Sequence, residues 1–340
     1  MHIGVRGQGV KLKSSTRIAL VAVIAIVVIA IGAYAYWDMT RPKNQQLIIS
    51  TTTSFYETGF LDYVKTRFEA KYPNINVSFI SQGTGLAIQT AMRGDADMIM
   101  VHDPVQELTF LQNGYGVNRK VIAYNFFVIV GPNDDPANIT GLSSLDALKR
   151  IKEYGDAGNA TWVSRGDGSG THAKEKRLWT AAGYNSSALR LLSWYLERGS
   201  TMTDTLKMAY EMDAYTISDL ASYLNNMKTG NINMTIVVEA SMELLNVYSV
   251  IANNPLKTNL TDSNFDASMK YIQYLTSAEG QQLFAEFGVS TFGKPLFYPY
   301  IQLLNSGTDP QLVQLIQDYA YFYGTECPSA YRYQAGNLYN

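Results

Sequence analysis

Cysteine is nearly missing from this chain: Cys327 is the only one in 340 residues. One thiol cannot build a disulfide framework or a thiolate metal site, so the sequence predicts a buried bystander. It also excludes a lipid-bearing cysteine after an N-terminal leader. Histidine is scarce too, and neither His102 nor His172 has a third ligand at metal-site spacing. Charged residues make up only 16%, with a formal net charge of −2 and no basic stripe among the aromatics, which argues against nucleic acid as a partner. No nucleophile elbow surrounds Ser169, and "GDGSG" lacks the lysine and spacing of a Walker loop or a dinucleotide fingerprint. Internal repeats and low-complexity tracts are absent. What remains is 46% hydrophobic and long enough for a substantial core in two domains or lobes.

One long apolar run is present, at the N-terminus. Arg6, Lys11, Lys13 and Arg17 precede "IALVAVIAIVVIAIGAYAY", which is uncharged from Ile18 to Tyr36. About 18 such residues can span a bilayer, whereas a signal-peptide core has about 7–15. The cations lie before the run, so the positive-inside rule puts 1–17 in the cytoplasm and the rest outside it. The reading is a single-pass transmembrane anchor over 18–36, then a linker over 37–45. A signal peptide cut after Ala33-Tyr34-Ala35 is the alternative. Sequons at Asn76, Asn138, Asn159, Asn185, Asn233 and Asn259 fit an exported domain without establishing one.

Beyond the linker, strand and helix patterns alternate. "LIIS" (47–50), "INVSFI" (75–80) and "ADMIMV" (96–101) read as strands; 60–72 and 85–94 have helical spacing. Such alternation predicts a parallel sheet with helices on both faces. Two apolar stretches, 121–136 and 246–255, each run into a polar, proline-containing turn. Between them lie strands at 160–164 and 235–239 and helices at 171–182 and 201–213; 264–288 is an amphipathic helical region. The simplest topology has lobe 1 over 46–124 plus 251–340 and lobe 2 over 125–250, with the two similar strands crossing between them. That is a hinged clamp.

Three small-residue loops each follow a strand and open a helix: "STTTS" (50–54), "SQGTG" (81–85) and "SRGDGSGT" (164–171). A helix N-terminus leaves N–H groups unpaired and partly positive, which suits an anion. Taken singly, each loop reads as an ordinary cap. The third adds a fixed cation, Arg165, whose planar fork of donors can hold two oxygens at once, and it presents Ser169, Gly170 and Thr171 close behind.

In this order "TTTS", "SQGTG", "RGDADMIMVH", "NFFVIVGPNDDP", "SRGDGSGTH" and "TISDLASYL" resemble the tungstate-binding proteins of the Tup type, solute receptors of ABC importers, over about residues 46–295. The resemblance implies an α/β, two-lobed periplasmic-binding-protein clamp of type II, with tungstate or molybdate as ligand and no cofactor. It further implies a permease with its ATPase subunit as partner, a monomeric receptor and no catalysis. Carried over residue by residue, it gives Thr52, Thr53 and Ser54 from the first loop and Thr84 from the second. From the third loop, which also looks like the anion loop of phosphate-binding proteins, it gives Arg165, Ser169, Gly170 and Thr171. Residues 301–340 fall outside the match.

Asp103 departs from the pattern, since the family often has alanine there. A carboxylate would accept a proton from phosphate but repel a bare dianion, which keeps a phosphate receptor open. Before Pro104 it also reads as a helix cap. From another class, a secreted hydrolase using Ser169 and His172 would need a base and an orienting acid around the serine. The RGD tripeptides at 93 and 165 are chance matches. His102 could line the cleft.

Overall fold

The computed structural model describes residues 14–40, 43–239 and 241–340. Arg6, Lys11 and Lys13 of the expected cytoplasmic segment lie outside them. The chain forms two compact units, 1–44 and 45–340. The first holds helix α1 (Ser14–Thr40), whose stretch Ala22–Met39 has a mean hydropathy of 1.9. It is long and apolar enough to cross a membrane, a test that a signal sequence also passes. The helix continues beyond Tyr36 to Thr40, so the expected linker begins as helix.

The second unit opens with β1 (Gln45–Thr52), α2 (Thr53–Glu57), α3 (Phe60–Lys71), β2 (Ile75–Gln82), α4 (Thr84–Arg93), β3 (Met98–Val101) and α5 (Pro104–Gln112). The long strand β4 (Gly116–Gly131) leads to α6 (Ser144–Asp156), β5 (Trp162–Ser164), α7 (Gly170–Ala181), α8 (Ser186–Leu189) and β6 (Tyr195–Glu197). Next come α9 (Met202–Glu211), β7 (Thr216–Asp219), α10 (Leu220–Lys228), β8 (Thr235–Val238) and β9 (Leu245–Asn253). The chain ends through α11 (Phe265–Thr276), α12 (Ala278–Glu286), α13 (Val289–Phe292), β10 (Tyr298–Pro299), α14 (Tyr300–Ser306) and α15 (Pro310–Ala320).

The main sheet runs β10-β4-β9-β3-β1-β2. It corrects the expected parallel sheet: β1 lies parallel to β2 and β3, but β9 is antiparallel to both β3 and β4. Apolar periodicity sets which residues a strand buries, whereas strand direction depends on the chain's path. β9 arrives without a crossover helix of its own, and so it pairs antiparallel. β4 changes partners along its length. Through Phe126 it pairs with β9, and from Phe127 to Gly131 it pairs with β7 and β8, with a bulge between Ile129 and Val130.

Each end of β4 serves a different core. Leu47, Ile49, Phe55, Phe60, Phe68 and Tyr248 pack on the main sheet. Phe127, Ile129, Trp162, Trp179, Trp194 and Tyr215 pack on the far end. Burying each large side chain contributes roughly 1.5–3 kcal/mol. The helical region at 264–288 is two helices. Ser277 stops the first and caps the second, its hydroxyl accepting the Gly280 N–H at 3.2 Å, and a Cβ at Gly280 would meet Tyr274 O at 2.0 Å.

The unmatched C-terminal residues strap the side of β4 that β9 leaves free. Glu326 pairs with Lys120 and accepts the Val121 N–H at 3.1 Å, its carbonyl accepts from Arg119 Nη1 at 2.8 Å, and Asn118 and Tyr333 exchange two hydrogen bonds. Cys327 is buried in this strap.

Candidate functional site

The three small-residue loops meet. Thr52 caps α2 by accepting the Phe55 N–H at 3.3 Å; Gly83 precedes α4 and offers no side-chain cap. Ser169 caps α7, its hydroxyl accepting the His172 N–H at 3.3 Å. Between the loops, Arg165 Nη2 donates to Thr53 Oγ1 at 2.5 Å, and the Gly170 N–H donates to Thr84 Oγ1 at 2.8 Å. Thr52, Ser54, Thr84, Ser169 and Thr171 are all buried, so these hydroxyls face protein and not bulk water. The loop after β5 turns tightly through two left-handed glycines, Gly166 at φ +67° and Gly168 at φ +74°. A side chain at Gly166 would also strike Glu197.

Arg165 is the centre of the arrangement, with 2% of its surface exposed. Nε donates to Asp167 Oδ2 at 2.9 Å and to Ser200 O at 3.2 Å. Asp167 in turn accepts the Ser169 N–H at 3.0 Å, so one carboxylate fixes both the guanidinium and the loop. Nη1 is buried without a hydrogen-bond partner, and so is Thr171 Oγ1 at the start of α7. Leaving a charged donor buried and unmatched costs at least about 1–3 kcal/mol, which an oxyanion placed there would recover.

A fourth helix starts within reach of the Arg165 charge; its motif was matched in the sequence, but none of its residues was named for the site. Asp219 caps α10, its Oδ1 accepting the Ser222 N–H at 2.9 Å. Burial pushes its carboxyl above the usual range, while Ser222 and the Arg165 charge pull it down. The readable signal was Asp-x-x-Ser before an apolar helix, a cap pattern. Glu57 at the end of α2 ties in the same region: Thr203 donates to its carboxylate at 3.2 Å and Asn225 to its carbonyl at 3.2 Å.

Asp103 lies at the N-terminus of α5, as its place before Pro104 predicts. Its oxygens accept from Val105 N at 3.2 Å, Gln106 Nε2 at 3.0 Å and Arg177 Nη1 at 3.3 Å. Ser169 and His172 do not form a nucleophile–base pair. The serine oxygen is spent on the cap, and His172 Nδ1 accepts the Gly168 N–H at 2.9 Å.

Behind the loop, Glu175 anchors α7. Its carboxylate accepts from Trp162 Nε1 at 2.8 Å, Ser164 Oγ at 2.9 Å and Tyr195 OH at 2.6 Å. Burial pushes the Glu175 carboxyl up to about 7 from 4.5, against the pull of those donors. Because the folded value is raised, folding favours the protonated acid. That stability is complete below the unfolded value and is lost as pH rises through about 7. Glu175→Gln imitates the protonated acid, so its advantage in stability over the parent is expected to be larger by about 1–3 kcal/mol at pH 8 than at pH 4, below the unfolded value. Urea unfolding at both pH values checks this; a gap that ignores pH would contradict it.

Comparisons with known proteins place the chain among its relatives. A family model described as a PBP superfamily domain matches residues 39–279. A relative from Haloferax volcanii, provisionally named an ABC transporter anion-binding protein, is 46% identical over 76% of this chain and 72% of its own. The tungstate-binding protein TupA of Peptoclostridium acidaminophilum is 38% identical over 77% of this chain and 88% of its own. The solved structure of the tungstate-binding protein TupA from Desulfovibrio alaskensis superposes with a TM-score of 0.63 at 35% identity, covering 75% of this chain and 98% of that one. With a shared fold and this level of identity over most of both chains, the protein belongs to the PBP superfamily and, within it, to the TupA family of tungstate-binding proteins.

Proposed function

We propose that this chain is an extracytoplasmic receptor that captures tungstate between two lobes and hands it to the permease of an ABC importer. It is a binding protein, not an enzyme, and its ligand is a metal oxyanion with no cofactor. The observation that carries the reading is Arg165: a buried guanidinium, held by Asp167 and Thr53, with Nη1 left for an oxygen. Thr171 Oγ1 and the first turns of α4, α7 and α10 supply further donors, and Thr52 and Ser54 line the α2 side. Molybdate has the same charge and nearly the same size and shares the site.

The lobes divide at β4. Lobe 1 takes 46–124 plus 251–340, the main sheet with its helices, and lobe 2 takes 125–250, built on β5 to β8; the pairing of β9 with β3 and β4 supports a return near its start, at Leu245, a few residues earlier. The Arg165–Thr53 and Gly170–Thr84 bonds then join the lobes, and the anion closes the clamp between them. Phosphate fits less well. Asp103, the carboxylate that would accept its proton, is occupied by Val105, Gln106 and Arg177.

α1 anchors the receptor as a single pass, with the binding unit outside the cytoplasm. Intact-mass measurement of the protein isolated from its own membranes is expected to find residues 1–36 attached. A mature chain beginning at Tyr36 would mean a removed signal peptide. The receptor reading is tested by tryptophan fluorescence, since Trp162, Trp179 and Trp194 lie in the lobe 2 core. A saturable change on adding tungstate is expected, with no consumption of the ligand; no response together with no binding by dialysis would sink it.

A further inference from the structure

His102 follows β3 and lies buried against the first turn of α7. A Cβ added to Gly170 would meet its Cε1 at 2.7 Å, its Nδ1 at 3.0 Å and its Nε2 at 3.2 Å. Tyr248 packs on the ring at 5.1 Å between centroids. The ring's hydrogen is assigned by its neighbours. His102 Nδ1 is 3.0 Å from Asn246 Oδ1, and Asn246 Nδ2 donates to both Asn125 Oδ1 and Tyr248 OH at 2.9 Å. The Asn246 oxygen must therefore accept, so Nδ1 carries the hydrogen and Nε2 is a bare lone pair. Nε2 is buried and has no hydrogen-bond partner.

A bare acceptor is out of place beside an anion site made of donors, and the charges sharpen the conflict. Arg165 is paired with Asp167, and Asp219 and Glu57 also lie within its field, so a dianion enters a site without net positive side-chain charge. Helix N-termini contribute only partial charges, each equivalent to roughly half an elementary charge. A tetrahedral metal oxyanion brings no hydrogen to donate to Nε2 at neutral pH. The nitrogen can, however, take one.

We propose that His102 binds a proton as the anion enters, so that the imidazolium becomes the second cation of the site and capture is coupled to proton uptake. This rests on the oxyanion reading of the Arg165 site. The balance is simple: one proton from solvent forms an N–H bond at Nε2, no bond in the ligand breaks, and the complex gains one positive charge. The groups that act on the ring are Asp103, which favours the proton, and Arg165 and Arg177, which oppose it. Among the protein's own groups, burial, more than these charges, lowers the His102 value to about 4, which makes the ring neutral at pH 7. A neighbouring dianion raises that value. Affinity then increases as pH falls below the value in the complex, by up to tenfold per pH unit, and levels off below about 4.

The test is calorimetry of the full chain with sodium tungstate, between pH 6 and 8, in buffers of different ionisation enthalpy. Proton uptake rising toward one per anion as pH falls is expected. ¹⁵N NMR should show Nε2 changing from the bare to the hydrogen-bearing type on saturation. His102→Asn keeps a donor toward Asn246 but cannot titrate, and is expected to bind with no uptake and a flat pH profile. Glu175→Gln and Lys174→Met should each leave the uptake intact, which removes the other two buried groups that titrate near neutrality. Binding without proton exchange, or uptake that survives in His102→Asn, overturns the proposal alone. If tungstate does not bind at all, the site reading fails and takes this proposal with it.

Discussion

Arg165→Ala is expected to weaken tungstate binding by about two to four orders of magnitude while leaving the fold in place. On the proposed reading, Nη1 and the remaining hydrogen of Nη2 are left for the anion, since Nε is spent on Asp167 and Ser200 and Nη2 gives one hydrogen to Thr53. Two charge-assisted hydrogen bonds at roughly 1.5–3 kcal/mol each give that range. Arg165→Lys should recover only part of the loss, because an ammonium cannot hold Asp167, Thr53 and an oxyanion in one plane. Thr171→Ala removes one neutral donor and should cost about tenfold or less. Titration calorimetry reads all three, with circular dichroism to separate lost binding from lost structure. An Arg165→Ala variant that binds as tightly as its parent would reduce the 164–171 loop to a helix cap.

Gly170→Ala should cost both stability and affinity. Its backbone has no special dihedral, and alanine is the best helix former, so a surface argument predicts a gain. The packing predicts the reverse. The new methyl would sit 2.7 Å from His102 Cε1, and that ring cannot swing away, being tied to Asn246 and packed on Tyr248. Overpacking of this kind costs about 1–3 kcal/mol. Relief comes most easily by backing α7 away from Thr84, which breaks the Gly170–Thr84 bond and pulls the Thr171 donor from the site. A thermal midpoint several degrees lower is expected, together with more than tenfold weaker tungstate binding. The double variant Gly170→Ala with His102→Ala should regain most of the stability, since the obstructing ring is gone. If the single variant melts at or above the parent, the contact between α7 and His102 is not as close as described.

Much of this was legible in the residues. The alternation from 47 to 101 yielded β1, α3, β2, α4 and β3 in order, because apolar period reports which face is buried. The direction of β9 was not legible, since antiparallel pairing with β3 and β4 is decided by where the chain returns. The break at Ser277 and the start of α15, where Asp309 accepts the Leu312 N–H at 2.9 Å before Pro310, were written as caps and passed unread. In the site, Arg165 stood out as the one fixed cation among the small-residue loops, whereas the threonines of the first two loops were named only through the resemblance to the family. His102 could be suspected but not given a role. The residue that fixes its hydrogen, Asn246, lies 144 positions away, and only folding brings them together.

The central claim is that the buried guanidinium and the helix N-termini around it hold a tetrahedral metal oxyanion. Calorimetry of the full chain against tungstate, molybdate, phosphate and sulfate tests it most directly. The account predicts one saturable site for tungstate with submicromolar affinity, comparable binding of molybdate, and phosphate and sulfate weaker by at least about a hundredfold. Phosphate bound more tightly than tungstate, or tungstate not bound at all, would contradict it.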